Sequence, residues 1–222
     1  SAASDVYKRQ EVEHTLLRRY IPEDLELETF NGKTYVGTIP FRMEKVRPRY
    51  LPSVPLISNF PEFNIRTYVS KNGVSGVLFL TLDAESRITS MYAPWAYGLP
   101  YVFAKGEVKK NSEGGFSWHS KRKSNGIGII GKSKPSGDIR KADKNSIEEF
   151  LFERYCLYVT YKGKTHIAYT YHKKWEFQNA TVIIEENSLT DFYKLGISNL
   201  LRPDLVHISK GVEVKTWNVE VA

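Results

Sequence analysis

Apolar and polar side chains alternate along most of the chain with a period of two. The runs 35–46, 63–70, 74–82, 101–110, 116–122, 127–133, 155–161, 165–172, 181–185 and 212–219 are alternating or rich in β-branched and aromatic residues, which is the pattern of half-buried strands. Asn31-Gly32, Asn72-Gly73, Gly114-Gly115, Asn125-Gly126 and Lys162-Gly163 punctuate them as turns. Helical spacing is confined to 13–20, 84–92 and 146–154. In the last of these, Ser146 and Glu149 form a capping box ahead of the apolar stripe Ile147, Phe150 and Leu151. Many strands with few short helices predict a mainly β (α+β) chain closed as a barrel or stacked as a sandwich. The stretch 47–61 holds Pro48, Pro52, Pro55 and Pro61. It reads as a long irregular connection, a candidate rim over a pocket.

Within 63–69 the alternation sets Phe63, Ile65, Thr67 and Val69 on one face and Asn64, Arg66 and Tyr68 on the other. The second face is either solvent-exposed or lines a polar cavity in which Arg66 clamps a carboxylate bidentately. Glu62, Glu153 and Arg154 are candidates for the same constellation, with ordinary ion pairing as the alternative.

Composition narrows the class. The 222 residues are 41% hydrophobic and 13% aromatic, enough for a core, so disorder is excluded for most of the chain. The longest apolar stretch, 76–82, is far short of the ~20 residues a membrane-crossing helix needs, and no membrane partner is expected. The single cysteine, Cys156, excludes an internal disulfide and suits a reducing, cytoplasmic setting. The net charge of +7 is carried by 105–144, where eleven Lys/Arg meet four Asp/Glu. Nucleic-acid binding through this window is an alternative function, but a lysine-rich solvated hairpin explains it as well and nucleic acid is not the expected partner.

Residues 1–10, SAASDVYKRQ, read as the in-frame translation of the end of a transposase sequencing adapter. They are set aside from fold reasoning. The native domain is expected over 11–222 as a single unit, with its natural start and any targeting segment lost.

The run Gly126-Ile-Gly128-Ile-Ile-Gly131-Lys132-Ser133 satisfies two phosphate-binding patterns at once. Both need a helix directly afterwards. Lys134-Pro135-Ser136-Gly137 cannot start one, so the glycines are assigned to a strand after a hairpin turn. His14, His119, His166, His172 and His207 lack metal-ligand spacing; no metal and no cofactor are expected. Cys156 sits in an aromatic strand as a small buried hydrophobe.

The segments 22–43, 46–52, 62–69, 76–86, 98–101, 146–158, 172–178 and 207–214 together resemble the YqjF-like bacterial family, domain of unknown function 2071. The resemblance implies a fold similar to acetoacetate decarboxylase: a β-rich, cone-like barrel with side helices and a central cavity, its first strand preceding Glu11 and missing here. It also implies a position for chemistry. Acetoacetate decarboxylase forms a Schiff base on a lysine that follows a G-F-P motif. The matching stretch is Gly98-Leu99-Pro100-Tyr101, so a tyrosine stands at the lysine position and imine chemistry is lost there. Lys105 is two strand repeats, roughly 13 Å, farther on and is discounted. The family's Ala-Arg pair is absent from Ala93-Pro94-Trp95, which makes Arg66 the anchor for an anionic ligand.

The expected function is binding of a small anionic or keto-acid-like molecule in an internal cavity. Asn64, Arg66, Tyr101, Arg154, His172 and Trp175 would supply contacts, and Phe41 and Phe177 further aromatic wall. Whether the chain is an enzyme stays open. The catalytic version is a lyase- or hydratase-like reaction with Glu62 or Glu153 as proton carrier.

Overall fold

Extended segments dominate because the alternation asks each strand for one buried face and one differently buried face. The computed structural model describes residues 2–44 and 59–222. Its strands are β1 (Ala2–Val12), β2 (Glu26–Leu27), β3 (Thr34–Met43), β4 (Phe60–Lys71), β5 (Val74–Ala84), β6 (Tyr101–Lys110), β7 (Phe116–Arg122), β8 (Gly128–Arg140), β9 (Cys156–Tyr161), β10 (Lys164–Tyr171), β11 (Phe177–Asn187), β12 (Leu205–Ser209), β13 (Lys215–Thr216) and β14 (Glu220–Val221). The helices are α1 (His14–Arg18), α2 (Arg87–Tyr97), α3 (Ile147–Phe152) and α4 (Ser188–Asp191). Of the proline-rich connection expected over 47–61, residues 47–58 lie outside the described residues. No helix among the described residues is long and apolar enough to cross a membrane.

Hydrogen-bonded neighbours run β5-β6-β7-β8-β11-β12-β1-β3-β4, and β4 pairs back onto β5, closing a ring. With nine strands in that ring, strict antiparallel alternation is impossible, and one neighbouring pair must run parallel. That pair is β5–β6, with Leu82 opposite Tyr101 and Asp83 opposite Val102. A parallel pair cannot be joined by a hairpin; it needs a crossover, and α2 supplies it. Ser86 caps α2 by accepting from Thr89 N at 3.2 Å, and Gly98, at φ 67°, ends it in the left-handed conformation. The helix expected at 84–92 therefore begins three residues later, because Ala84 is still committed to β5.

The ring interior is filled. Val6, Val36, Phe63, Ile65, Val108, Trp118, Ile129 and Ile208 come from seven different ring strands and form one buried cluster, closed by Leu189, Tyr193 and Leu195. At the parallel junction a buried ion pair crosses above β6. Arg122 donates from Nε to Asp83 Oδ2 at 2.7 Å and from Nη2 to Asp83 Oδ1 at 2.7 Å. Nη2 also donates to Thr81 Oγ1 at 2.8 Å.

A second apolar layer lies outside the ring. Tyr7, Tyr35, Ile39, Phe41 and Tyr68 pack under Leu151, Phe152, Trp175 and Phe177. The sheet also branches at β5, whose first half pairs β9 in parallel through Val77 and Leu78. β9 and β10 then continue the sheet over Ile21, Leu25 and Val69.

Two expectations change and a third holds. The first strand is present: Ala2–Val12 fills the slot between β3 and β12, and it holds nine of the ten residues set aside above, 2–10. A slot between two strands is satisfied by main-chain groups and by alternation alone, and this segment offers Val6 inward and Tyr7 outward. The strand expected over 212–219 shrinks to Lys215–Thr216, while Leu205–Ser209 closes the ring instead. The glycine motif is strand, as expected. Gly128 and Gly131 belong to β8, where an added Cβ would lie 2.1 Å from Ser120 O and 2.8 Å from the Trp118 ring, so close strand approach explains these glycines.

Two outcomes follow. Asp83→Asn leaves Arg122 buried against a neutral amide and is expected to cost ~3–5 kcal/mol in urea denaturation, with part recovered in Asp83→Asn/Arg122→Met. Lys8 is buried in the ring interior with no hydrogen-bond partner for Nζ among the described residues, 5.3 Å from the Trp118 ring centroid, and burial lowers its pKa to about 7. The unfolded chain keeps this amine protonated up to the ordinary 10.5, so between those values the unfolded state binds more protons and stability rises with pH. Lys8→Met should abolish that part of the rise and raise the urea midpoint below pH 7.

Candidate functional site

The site is built on the outward face of β4. Phe63 and Ile65 point into the ring, so Glu62, Asn64 and Arg66 point out of it, successive members about 6.6–7 Å apart. Tyr101 shares that orientation, because it is paired with Leu82 on β5. Reaching across β5, its phenol donates to Glu62 Oε2 at 2.7 Å. Glu62 is buried and Tyr101 half-buried; desolvation of the phenol, and then the Glu62 carboxylate, hold the Tyr101 pKa well above its ordinary value. The phenol therefore stays neutral and donates its hydrogen bond to the carboxylate.

Next along β4, Asn64 is 3% exposed and its Oδ1 has no hydrogen-bond partner among the described residues. Arg66 donates from Nη2 to Leu151 O at 3.3 Å, while its buried Nε has no partner among them. Leu151 lies in the last turn of α3, whose carbonyls have no partners within the helix. Arg9 Nη2 reaches the same oxygen at 3.3 Å, and Arg154 Nε donates to Phe150 O at 2.7 Å. Three guanidiniums thus satisfy one helix end, where cations are favoured.

Tyr68 sits among them. Its burial alone would raise its pKa, but Arg9 and Arg66, with the hydrogen bond from Arg9 Nε at 3.1 Å, bring it below the usual tyrosine value. Arg9 is held between the rings of Phe152 and Tyr7, at 4.2 and 4.8 Å. His207 Nδ1 lies 3.4 Å from Arg9 Nη1. Burial and then Arg9 depress the His207 pKa to about 3, so the imidazole is neutral and accepts from the guanidinium.

The remaining sequence candidates Glu153, Arg154 and His172 form a second group just after the C-terminal end of α3, with Trp175 beside them. Arg154 pairs with Glu28 at 2.5 Å. His172 faces Arg154 O at 3.1 Å and Lys173 O at 2.9 Å, and stacks on Tyr155 with 4.6 Å between ring centroids. Glu153 accepts from Trp175 N at 3.1 Å and from the Tyr155 hydroxyl, so it acts as a local brace. Glu28, Phe30, Glu149, Phe150, Glu153 and Arg154 line an open cleft of about 410 Å³. A second cavity, of about 480 Å³, lies behind the Gly98–Pro100 turn against Tyr20, Leu78 and Tyr193.

Glu62, Asn64, Arg66 and Tyr101 are therefore brought together, with Phe41 opposite Glu62 on β3. Arg154, His172, Trp175 and Glu153 are not part of that row. Arg154 approaches it across the Tyr68 ring, 5.4 Å away, and Phe177 stacks on Phe152 beneath α3 at 4.5 Å. The polar row faces the outer layer under α3, on the opposite side of β4 from Phe63, Ile65 and the buried ring cluster. Sequence reasoning did not reach Glu28 or the carbonyls of α3. No local pattern marks a residue whose partner is 126 positions away, as Glu28 is from Arg154.

The family described as DUF2071, Uncharacterized conserved protein (COG2071), matches residues 9–213. The chain is 35% identical over 207 residues to the uncharacterised protein YqjF of Bacillus subtilis (strain 168), covering 93% of this chain and 84% of that protein. Among solved structures it is similar to acetoacetate decarboxylase from Legionella pneumophila, with a TM-score of 0.66 and 14% identity, covering all of this chain and 85% of the other. It is also similar to the enduracididine biosynthesis enzyme MppR complexed with pyruvate, with a TM-score of 0.57 and 14% identity over 96% and 88% of the two chains. The ring with its short side helices is thus an acetoacetate decarboxylase-like fold.

Tyr101→Phe removes the phenolic donor from a buried carboxylate and should cost about 1–3 kcal/mol in urea denaturation. The same change at Tyr155, 41% exposed, should cost less.

Proposed function

We propose, for a chain that belongs to the family of uncharacterised conserved proteins DUF2071, that it binds a small carboxylate of the keto-acid type on the outward face of β4 and performs no imine chemistry there. The observation that carries this reading is the 2.7 Å bond from Tyr101 to Glu62. At the position implied for an imine-forming amine there is a neutral phenol, committed to a carboxylate. Arg66 supplies the charge for an anionic ligand, with a buried Nε left to donate. That a structurally similar enzyme is described as complexed with pyruvate supports the ligand class.

The same bond favours one further reading, a lyase- or hydratase-like reaction. A carboxylate and a phenol sharing a proton in a buried place form the kind of pair that general acid–base catalysis uses.

Thermal shift with pyruvate and acetoacetate tests the binding. Both should raise the melting temperature of the parent, and Arg66→Met should lose the effect. Borohydride treatment in the presence of pyruvate should leave the protein mass unchanged. A stabilisation that survives Arg66→Met overturns the site, and a reduced lysine adduct overturns the absence of imine chemistry.

A further inference from the structure

The polar row holds two buried groups of opposite hydrogen-bonding sense that none of the described residues satisfies. Asn64 Oδ1 is an acceptor without a donor, and Arg66 Nε is a donor without an acceptor. They stand two residues apart on one strand face, about 6.6–7 Å between their Cβ atoms. Buried polar atoms are paired in the great majority of cases, so each orphan asks for an explanation, and two complementary orphans side by side have a common one.

A simple carboxylate answers only Arg66. A keto oxygen placed against Asn64 sets acceptor against acceptor and leaves the orphan worse off than water would. A hydroxyl donates to Asn64 Oδ1, while a carboxylate one or two carbons away reaches Arg66. An ammonium group would also donate, but Arg9 and Arg66 both converge on Leu151 O, and a third cation beside them is disfavoured. Opposite Arg66 on β3 stands Gly37, whose missing side chain lets Arg66 Cγ and the Tyr68 hydroxyl pack down against the β3 backbone.

From this we infer that the preferred ligand of the site is a short hydroxycarboxylate, recognised by Asn64 through its hydroxyl and by Arg66 through its carboxylate. The inference rests on the proposed binding at β4 and narrows its ligand class from keto acids in general to their reduced, hydroxyl-bearing counterparts. Asn64 acts here as a specificity-determining residue.

Isothermal titration of the full chain with three probes of one carbon skeleton, 3-hydroxybutyrate, acetoacetate and butyrate, tests it. The hydroxy acid is expected to bind about tenfold or more tighter than the other two, because a site built around a hydroxyl discriminates strongly against analogues that lack it. Asn64→Leu should level the three affinities. Asn64→Ser, which keeps a small polar group, should retain part of the preference and serves if the leucine variant does not fold. Equal binding of hydroxy and keto acids by the parent, or a preference untouched by either Asn64 variant, overturns the inference and leaves the keto-acid reading standing. Absence of binding by all three probes, or affinities unchanged in Arg66→Met, removes the binding site at β4 and this inference with it.

Discussion

An odd number of strands cannot close antiparallel throughout, and the architecture follows from where the ring places its one parallel contact. Putting it at β5–β6 obliges the chain to leave the sheet after Ala84 and return at Tyr101, and the crossover carries α2 and the turn at Gly98. The Asp83–Arg122 pair is the local consequence. Two charges with side chains 1% and 7% exposed are tolerated because bidentate geometry and Thr81 satisfy them, and they tie β5 to β7 across the strand whose pairing is parallel. Leaving either charge without the other would be costly, since the penalty of a buried unpaired ion exceeds the gain of the pair itself.

The same closure divides β4 into two functions. Its inward residues complete a core drawn from around the ring, and its outward residues meet a second layer built by α3 and the aromatic residues Trp175 and Phe177. Polar groups can be buried on the outward face because α3 ends there. The free carbonyls of its last turn accept from Arg9, Arg66 and Arg154, which replaces much of the solvation those guanidiniums give up. Cations gathered around a helix C-terminus, together with a phenol held on Glu62, are the features on which the proposed anion site rests. Lys8, the amine that burial brings near neutrality, points to the other side of the wall, into the core.

Much of the fold was legible along the chain. Most long strands show period-two alternation, Ser146 and Glu149 announce α3, and the residues after Gly131 exclude a phosphate loop. The outward row at 62, 64 and 66 was legible too, since alternation alone puts those side chains on one face. What stayed hidden was what covers that face. Leu151 O is a backbone group 85 residues from Arg66, and no residue type signals a carbonyl.

Local periodicity, turn chemistry and a few shared segments were enough to set the strand content and the family, because each depends on neighbours within a few residues. Which side of the wall the polar row occupies, that the interior is packed, and that Glu153 and His172 stand apart from Arg66 were decided by ring closure. That decision sums over pairings between strands as distant as β1 and β12, and a one-dimensional pattern cannot hold it.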